Sequence, residues 1–152
     1  VIAHSMGNRA FLRAVQSLAP ALRQAGKKFG QIILAAPDVD ADLFKQLAAI
    51  YPSISTRTTL YSSSKDLAVW ISAFWHQYNR AGFYPPLSVI EGIDTVQVTN
   101  VDVSLLGHDY YGSAPDVMHD IWMLLQGHPP HERPRLRPLP SLARPEYWEI
   151  AP

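Results

Sequence analysis

The sequence predicts an α/β fold in which helices flank a mostly parallel sheet. Short apolar and β-branched segments alternate with longer segments whose apolar residues recur at helical spacing. Residues 31–36 form an apolar run that stops at Pro37, which is typical of a strand covered on both faces. Because strands separated by helices are joined by right-handed crossovers, neighbouring strands are expected to run parallel.

The first elements are a strand and a helix. Residues 1–3 are predicted to end a buried strand. Helical spacing then relates the apolar residues Phe11, Ala14, Val15, Leu18 and Leu22. Pro20 lacks a backbone N–H, so it is expected to break or kink this helix, and Gly26 and Gly30 mark its exit. Residues 42–50 are predicted to form a short helix after the strand at 31–36.

The middle of the chain adds another strand–helix pair. Residues 56–61 are rich in β-branched and aromatic side chains, which favours a strand. Residues 67–78 are predicted to be helical, with Asp66 and the serines before it as candidate caps. The aromatic stripe on that helix, formed by Trp70, Phe74 and Trp75, is expected to pack in the core. A substrate wall or a dimer contact is the alternative.

One more strand and one more helix complete the predicted domain. Residues 96–99 are predicted to be a strand. The last helix covers about residues 115–125, with Pro115 suited to its first turn and Gly127 just beyond its end.

The composition changes near residue 127. Seven of the 13 prolines lie in residues 129–152, together with four arginines. We therefore divide the chain into a domain over residues 1–127 and a Pro/Arg-rich tail over residues 128–152. The tail is expected to be extended and to wrap the domain or project from it. A proline motif that docks a partner is the alternative.

Composition and charge exclude several classes of protein. The 152 residues fit one domain, and 47% hydrophobic with 17% charged residues is a globular composition. Lys plus Arg and Asp plus Glu both number 13, so the net charge is zero and nucleic acid is not an expected partner. The absence of cysteine excludes disulfides, Cys-ligated metals and a thiol nucleophile. No apolar run, residues 32–36 included, exceeds five residues, which is too short for a transmembrane segment.

The chain begins at Val1 and not at methionine. It is therefore expected to be a processed chain or a fragment that lacks the true N-terminus, and no signal peptide is visible. A cytoplasmic location is favoured, and the oligomeric state is left open.

Residues 3–7, Ala-His-Ser-Met-Gly, match the small-x-Ser-x-small pattern of a nucleophile elbow. In such an elbow the serine lies on a sharp turn between a strand and a helix, and small neighbours leave room for it. The predicted strand before Ser5 and the predicted helix after it supply this context. The turn directs the Met6 backbone amide toward the position where an acyl oxyanion would form.

Two further residues follow in the chain order that this motif requires. Asp66 comes after the strand at 56–61, and His108 comes after the strand at 96–99. The order Ser5, Asp66, His108 is that of a Ser-Asp-His triad on an open sheet. Asp38, at the end of the preceding strand, is the alternative acid. It could instead shape the turn that follows that strand.

A metal site is not expected. His119, Asp120, His128 and His131 lie near one another in the sequence, but they match no zinc-enzyme spacing. The triad chemistry also calls for no cofactor.

The sequence resembles the C-terminal part of an α/β-hydrolase and is similar to an uncharacterised bacterial branch of that superfamily. The motifs that carry the resemblance lie within residues 1–126: Ile-Ala-His-Ser-Met-Gly-Asn-Arg (2–9), Ala-Ala-Pro-Asp-Val-Asp (35–40), Leu-Tyr-Ser-Ser-Ser-Lys-Asp (60–66) and Leu-Gly-His-Asp-Tyr-Tyr (106–111). Members carry further strands and a second oxyanion amide before the elbow. The chain is therefore expected to be a partial α/β-hydrolase domain that starts at the nucleophile elbow.

The resemblance implies a role for each matched residue. Ser5 is the nucleophile, His108 the general base and then acid, and Asp66 the residue that orients His108; Met6 donates one oxyanion amide. The expected function is a serine hydrolase, esterase- or lipase-like, that cleaves an ester, thioester or similar acyl group of a small molecule or lipid. The alternative is a truncated or degenerate hydrolase domain that is inactive alone and acts as a binding module or as no functional unit.

Overall fold

A computed structural model describes residues 1–63, 79–82, 88–98, 115–139 and 147–150. Within these residues a six-stranded sheet has the order β1-β2-β3-β4-β6-β5. The strands are β1 (Ile2–His4), β2 (Phe29–Ala35), β3 (Ser55–Ser63), β4 (Asp94–Val98), β5 (Leu136–Pro138) and β6 (Tyr147–Ile150). The described helices are α1 (Gly7–Gln24), α2 (Ala41–Ala48), α3 (Tyr51–Ile54) and α4 (Pro115–Leu125). None of these helices has the length and apolarity that a membrane span requires.

The sheet is parallel from β1 through β4 to β6, and only β5 runs antiparallel, against β6. This confirms the predicted α/β fold with a mostly parallel sheet. Strand β2, second in the sheet, buries both of its faces, because Ile32 and Leu34 pack on the side of α1 to α3 while Ile33 packs on the side of α4. Such two-sided burial explains the apolar run that predicted this strand.

Helix α1 buries one stripe and ends at a glycine. Its buried residues are Asn8, Leu12, Val15 and Ala19. Two of the residues that predicted the helix, Ala14 and Leu18, lie on its exposed side instead. Beyond the last turn, Gly26 has a φ of +63°, and Lys27 N–H donates to the carbonyl of Leu22 at 2.9 Å. This is the Schellman arrangement that the position of Gly26 favours.

Of the expected break or kink at Pro20, the break is wrong. Pro20 lies inside α1, which continues to Gln24. Proline removes one intrahelical hydrogen bond and crowds the preceding turn. Ala19 is fully buried and Leu22 packs against the same core, one on each side of Pro20 in the sequence. Their burial offsets the lost hydrogen bond and keeps the last turn of α1 in place.

The C-terminal segment adds two strands that the sequence analysis did not predict. A short 3-10 turn (Pro130–Glu132) follows α4, after which β5 and β6 extend the sheet beyond β4. Leu136 and Ile150 pack into the core on the α4 side. Prolines hide the strand pattern here, and Pro138 is tolerated because β5 is an edge strand of the described sheet.

Candidate active site

The site begins at the turn between β1 and α1, where Ser5 has a φ of +49°. A left-handed backbone costs a non-glycine residue about 1–2 kcal/mol. The turn is nevertheless held, since Ser5 N–H donates to the carbonyl of Ala35 at 3.0 Å and so extends the β1–β2 pairing by one residue. Ser5 thus lies on a sharp, strained turn between a strand and a helix, which is the backbone geometry of a nucleophile elbow.

The Ser5 carbonyl is bound from two sides. It accepts hydrogen bonds from the Asn8 backbone N–H (3.1 Å), the Asn8 side-chain amide (3.1 Å) and the Asp38 backbone N–H (3.3 Å). The same Asn8 amide also donates to the carbonyl of Ala35 at 3.3 Å. These contacts join the elbow to the end of β2 and over-determine the strained conformation of Ser5.

Met6 occupies the N-cap position of α1 and is exposed. In the described part of the chain no acceptor takes its backbone N–H. The positive end of the α1 dipole lies at the same place. An oxyanion beside Ser5 would therefore meet an open amide donor and a favourable field.

Crowding around Ser5, which the elbow motif implies, does not explain the small residue at position 7. A Cβ on Gly7 would meet no heavy atom within 4 Å among the described residues. Crowding therefore does not require glycine here. Ala3, on the other side of Ser5, is buried in the core beneath α1, where a larger side chain would not fit easily.

Asp38 lies just behind the elbow and is bound by two arginines. Its carboxylate is 3.2 Å from Arg80 Nε and 3.6 Å from Arg9 Nη2. Arg9 Nε also donates to the Asp38 carbonyl at 2.6 Å. Asp38 and Arg80 are both buried, so this charge cluster fixes the loop after β2 against the start of α1.

The carboxyl ends of the parallel strands all reach one edge of the sheet. His4 pairs with Ala35 across β1 and β2, and Ser63 pairs with Val98 across β3 and β4. The predicted triad members Asp66 and His108 follow β3 and β4 in the sequence, but both lie outside the described residues. The structure therefore describes Ser5 and its turn, and all three triad assignments stay predictions.

Comparison with known families decides the relationship. The model of a family described as an alpha/beta hydrolase of unknown function (DUF900) matches residues 1–126. The chain belongs to this α/β-hydrolase family. The resemblance that the motifs predicted is thereby confirmed at the level of the superfamily. No curated protein and no solved structure matches the chain.

Sequence reasoning gave no role to Asn8, Arg9 or Arg80 of this α/β-hydrolase. A signal for Asn8 exists, because it occupies the buried stripe of α1 one turn before Leu12, where a polar residue is unusual. Arg80 carries no such signal. Its burial follows from an isolated antiparallel β-bridge between the backbones of Asp40 and Arg80. This β-bridge brings residues 79–82 against the loop after β2.

A second polar cluster lies in the core on the α4 side. The Tyr61 hydroxyl donates to Asp120 Oδ2 at 2.6 Å, and Arg133 Nη1 is 3.2 Å from the same oxygen. Burial, then the negative charge of Asp120, raises the pKa of Tyr61, and burial raises the pKa of Asp120 against the lowering effect of Arg133. Since all three side chains are buried and mutually bonded, the cluster fastens the C-terminal segment to the sheet.

Metal ligands are not grouped anywhere in the residues that the structure describes: no three His, Asp or Glu side chains come together there. The polar groups near Ser5 are instead backbone amides, an asparagine amide and arginine–aspartate pairs. Such groups hold a turn in place and can stabilise negative charge.

Proposed function

We propose that this α/β-hydrolase is a serine hydrolase that cleaves an ester, thioester or similar acyl substrate through an acyl-enzyme on Ser5. The observation that carries the proposal is the left-handed backbone of Ser5 (φ +49°) at the junction of β1 and α1. Residues other than glycine keep such a conformation only where the surrounding structure enforces it, and such positions cluster at active sites. An ordinary helix cap would adopt an extended conformation at no such cost.

The open Met6 amide supports the same proposal. When the Ser5 hydroxyl oxygen attacks a carbonyl carbon, the carbonyl oxygen becomes an anion. One donor aimed at that oxyanion accounts for a rate factor of about 10²–10³ in serine hydrolases. The Met6 N–H, next to the nucleophile and at the N-terminus of α1, is placed to be such a donor.

The reaction proceeds in two proton-balanced steps. In the first, the hydroxyl proton of Ser5 passes to His108, the new Ser5–acyl bond forms, and the leaving alcohol or thiol departs with that proton. In the second, water attacks the acyl carbon and gives a proton to His108, the Ser5–acyl bond breaks, and the carboxylic acid leaves as His108 returns the proton to the Ser5 oxygen. Asp66 orients the His108 ring throughout.

The surroundings of Asp38 favour Asp66 as the acid. Asp38 already engages Arg80 and Arg9, and its backbone N–H holds the Ser5 carbonyl. In this arrangement the Asp38 carboxylate fixes the elbow. If it turned toward an imidazole, the buried guanidinium of Arg80 would lose its counter-ion. We therefore assign Asp38 a positioning role.

A fluorophosphonate probe tests the proposal, because it bonds only to an activated serine. Intact-mass analysis would follow the chain with the probe, beside Ser5→Ala and a matched control, Ser17→Ala. Ser17 lies on the exposed side of α1, so its variant keeps the fold. We expect one adduct on the unaltered chain and on Ser17→Ala, and none on Ser5→Ala.

The opposite result is equally informative. A folded chain that takes no adduct, or a Ser5→Ala variant that takes it as readily as the unaltered chain, would overturn the proposal. In the first case the alternative, a hydrolase domain that is inactive alone, would be favoured. The variants Asp66→Asn and Asp38→Asn separate the two candidate acids. We expect adduct formation to slow at least a hundredfold in Asp66→Asn but not in Asp38→Asn.

A further inference from the structure

A cavity of about 260 Å³ lies between α1 and α2, beside the elbow but not needed for the acyl-enzyme steps proposed above. Its walls combine charged and apolar side chains: Arg9, Leu12, Arg13, Val39, Asp40, Leu43, Leu47 and Arg80. Three guanidinium groups around one small apolar space are unusual. A ligand that binds in this cavity has to be compatible with these three guanidinium groups.

Arg80 has donor groups without acceptors. Its side chain is only 4% exposed, and its Nη2 is buried with no hydrogen-bond partner in the described part of the chain. Arg80 Nε lies 3.2 Å from the Asp38 carboxylate as an ion pair, but the angle is not that of a hydrogen bond. Unmet donors on a buried cation are costly. Since Arg80 lines the cavity, a small turn of its guanidinium toward an oxygen acceptor there would relieve that cost.

The charges around the cavity leave a positive excess. Arg9, Arg13 and Arg80 contribute three positive charges, against two negative charges from Asp38 and Asp40, so the sum is +1. Asp40 is also occupied, since its Oδ1 accepts from the backbone N–H groups of Asp42 and Leu43 and caps α2. Among the described residues no carboxylate pairs with the exposed Arg13. A bound ligand with one negative charge would bring this sum of charges to zero.

The remaining walls are aliphatic. Leu12 and Leu47 line the cavity from α1 and α2, and Leu43 lines it while remaining 47% exposed. The volume lies just below the range of about 300–1,000 Å³ that is usual for small-molecule pockets. Only a short aliphatic chain fits such a space.

We propose that this cavity binds a small amphipathic anion, a carboxylate on a short aliphatic chain. The carboxylate lies among Arg9, Arg13 and Arg80, and the chain lies along the leucines of α1 and α2. The proposal is independent of the acyl-enzyme on Ser5. The ligand can be measured whether or not the serine reacts.

Three probes separate charge from apolar contact. Hexanoate carries both features, hexanamide carries the chain without the charge, and acetate carries the charge without the chain. Calorimetric titration of the full chain is expected to show hexanoate binding at least tenfold more tightly than either of the others. Amide shifts in NMR spectra are expected to move at Leu12, Val39 and Leu43. Equal binding of hexanoate and hexanamide, or shifts confined to other residues, would overturn the proposal.

A matched pair of variants locates the anion. Arg13→Glu and Lys45→Glu make the same change of charge on exposed sites, but only Arg13 lines the cavity. We expect Arg13→Glu to weaken hexanoate binding about fivefold or more and Lys45→Glu to change it less than twofold. Equal weakening by both variants would mean general charge attraction and would overturn the site. Repeating the titration on Ser5→Ala, where hexanoate binding is expected to be unchanged, separates this proposal from the enzymatic one.

Discussion

The side-chain amide of Asn8 donates to the carbonyl of Ser5 at 3.1 Å, and through this contact a fully buried residue of α1 supports the strained turn. The same Nδ2 also reaches the carbonyl of Ala35 at 3.3 Å. The backbone of Ser5 is thus fixed by a residue three positions later and by a strand end thirty positions later. Two predictions follow from this arrangement.

The first concerns Asn8→Asp, which replaces the donating amide by a carboxylate that faces two carbonyl oxygens. We expect the free energy of unfolding to fall by about 3 kcal/mol or more, because the new carboxylate would be buried without hydrogen-bond donors. Urea unfolding measures this loss. Gln24→Glu, at the exposed end of α1, makes the same chemical change without burial and should alter stability by less than about 0.5 kcal/mol. Similar losses in both variants would contradict a supporting role for Asn8.

The second concerns the strain itself. Ser5→Gly should raise the free energy of unfolding by about 1 kcal/mol, since glycine adopts a φ of +49° without steric cost. Ser17→Gly, in the middle of α1, should lower it by about 1 kcal/mol, because glycine is a poor helix former. Urea unfolding of the two variants is therefore expected to give opposite signs. Destabilisation of equal size in both would show that Ser5 is not strained.

Local signals were enough to predict much of the fold. The strand–turn–helix around Ser5, the two-sided burial of β2 and the start of α4 at Pro115 all follow from patterns of a few neighbouring residues. Gly127 is a further example. Its φ is +93°, and the His128 N–H donates to the carbonyl of Met123 at 3.2 Å, which is the helix end that glycine favours.

The structural features that the sequence did not predict depend on contacts between residues far apart in the chain. Arg133 belongs to a proline- and arginine-rich segment whose composition predicts an extended tail that wraps the domain or projects from it, yet its side chain is fully buried. Its partners are Asp120, 13 positions away, and Tyr61, 72 positions away. A charged side chain is buried only where such partners exist, and nothing near Arg133 in the sequence reveals them. The same reasoning applies to Arg80 and Asp38.

The buried ion pair of Arg133 and Asp120 gives a third prediction. Arg133→Met should lower the free energy of unfolding by about 3–5 kcal/mol, because it leaves the Asp120 carboxylate buried without a cation. Adding Asp120→Leu should restore a large part of the loss, since the second charge is then removed as well. A double-mutant cycle by urea unfolding measures this coupling. Additive effects of the two substitutions would show that the pair does not act as a unit.

Tyr51 gives a fourth prediction, on the pH dependence of stability. Burial raises the pKa of Tyr51, which stacks against Phe11 with ring centroids 6.0 Å apart. Above pH 10 the unfolded chain releases the phenolic proton while the folded chain keeps it, so stability falls as the pH rises. Each such tyrosine contributes about 1.4 kcal/mol per pH unit, and the pKa of Tyr61 is raised as well.

The variant Tyr51→Phe isolates one of these contributions. Its stability curve from pH 10 to 11.5 should fall less steeply than that of the unaltered chain, by about 1.4 kcal/mol per pH unit. At pH 7 the variant should be as stable or slightly more stable, because the Tyr51 hydroxyl is buried without a partner among the described residues. Parallel curves for the two chains would mean that Tyr51 ionises freely in the fold.

Gly82 and Gly7 provide the last prediction, which tests where backbone crowding lies around the site. A Cβ on Gly82 would stand 2.4 Å from the carbonyl carbon of Ala36 and 2.5 Å from Pro37 N. These are backbone atoms of the loop that leads to Asp38, so the overlap cannot be relieved by turning a side chain. Gly82→Ala should therefore lower the free energy of unfolding by about 3 kcal/mol or more.

Gly7→Ala is the matched comparison. Its new methyl group would meet no described atom within 4 Å, and alanine is the better helix former. Its stability should therefore be unchanged or higher by up to about 1 kcal/mol. Thermal and urea unfolding of both variants decide the point. If Gly7→Ala were the more damaging change, the steric demand would lie in the elbow itself. The structure instead places it where residues 79–82 pack against the end of β2, behind the loop that holds the Ser5 carbonyl.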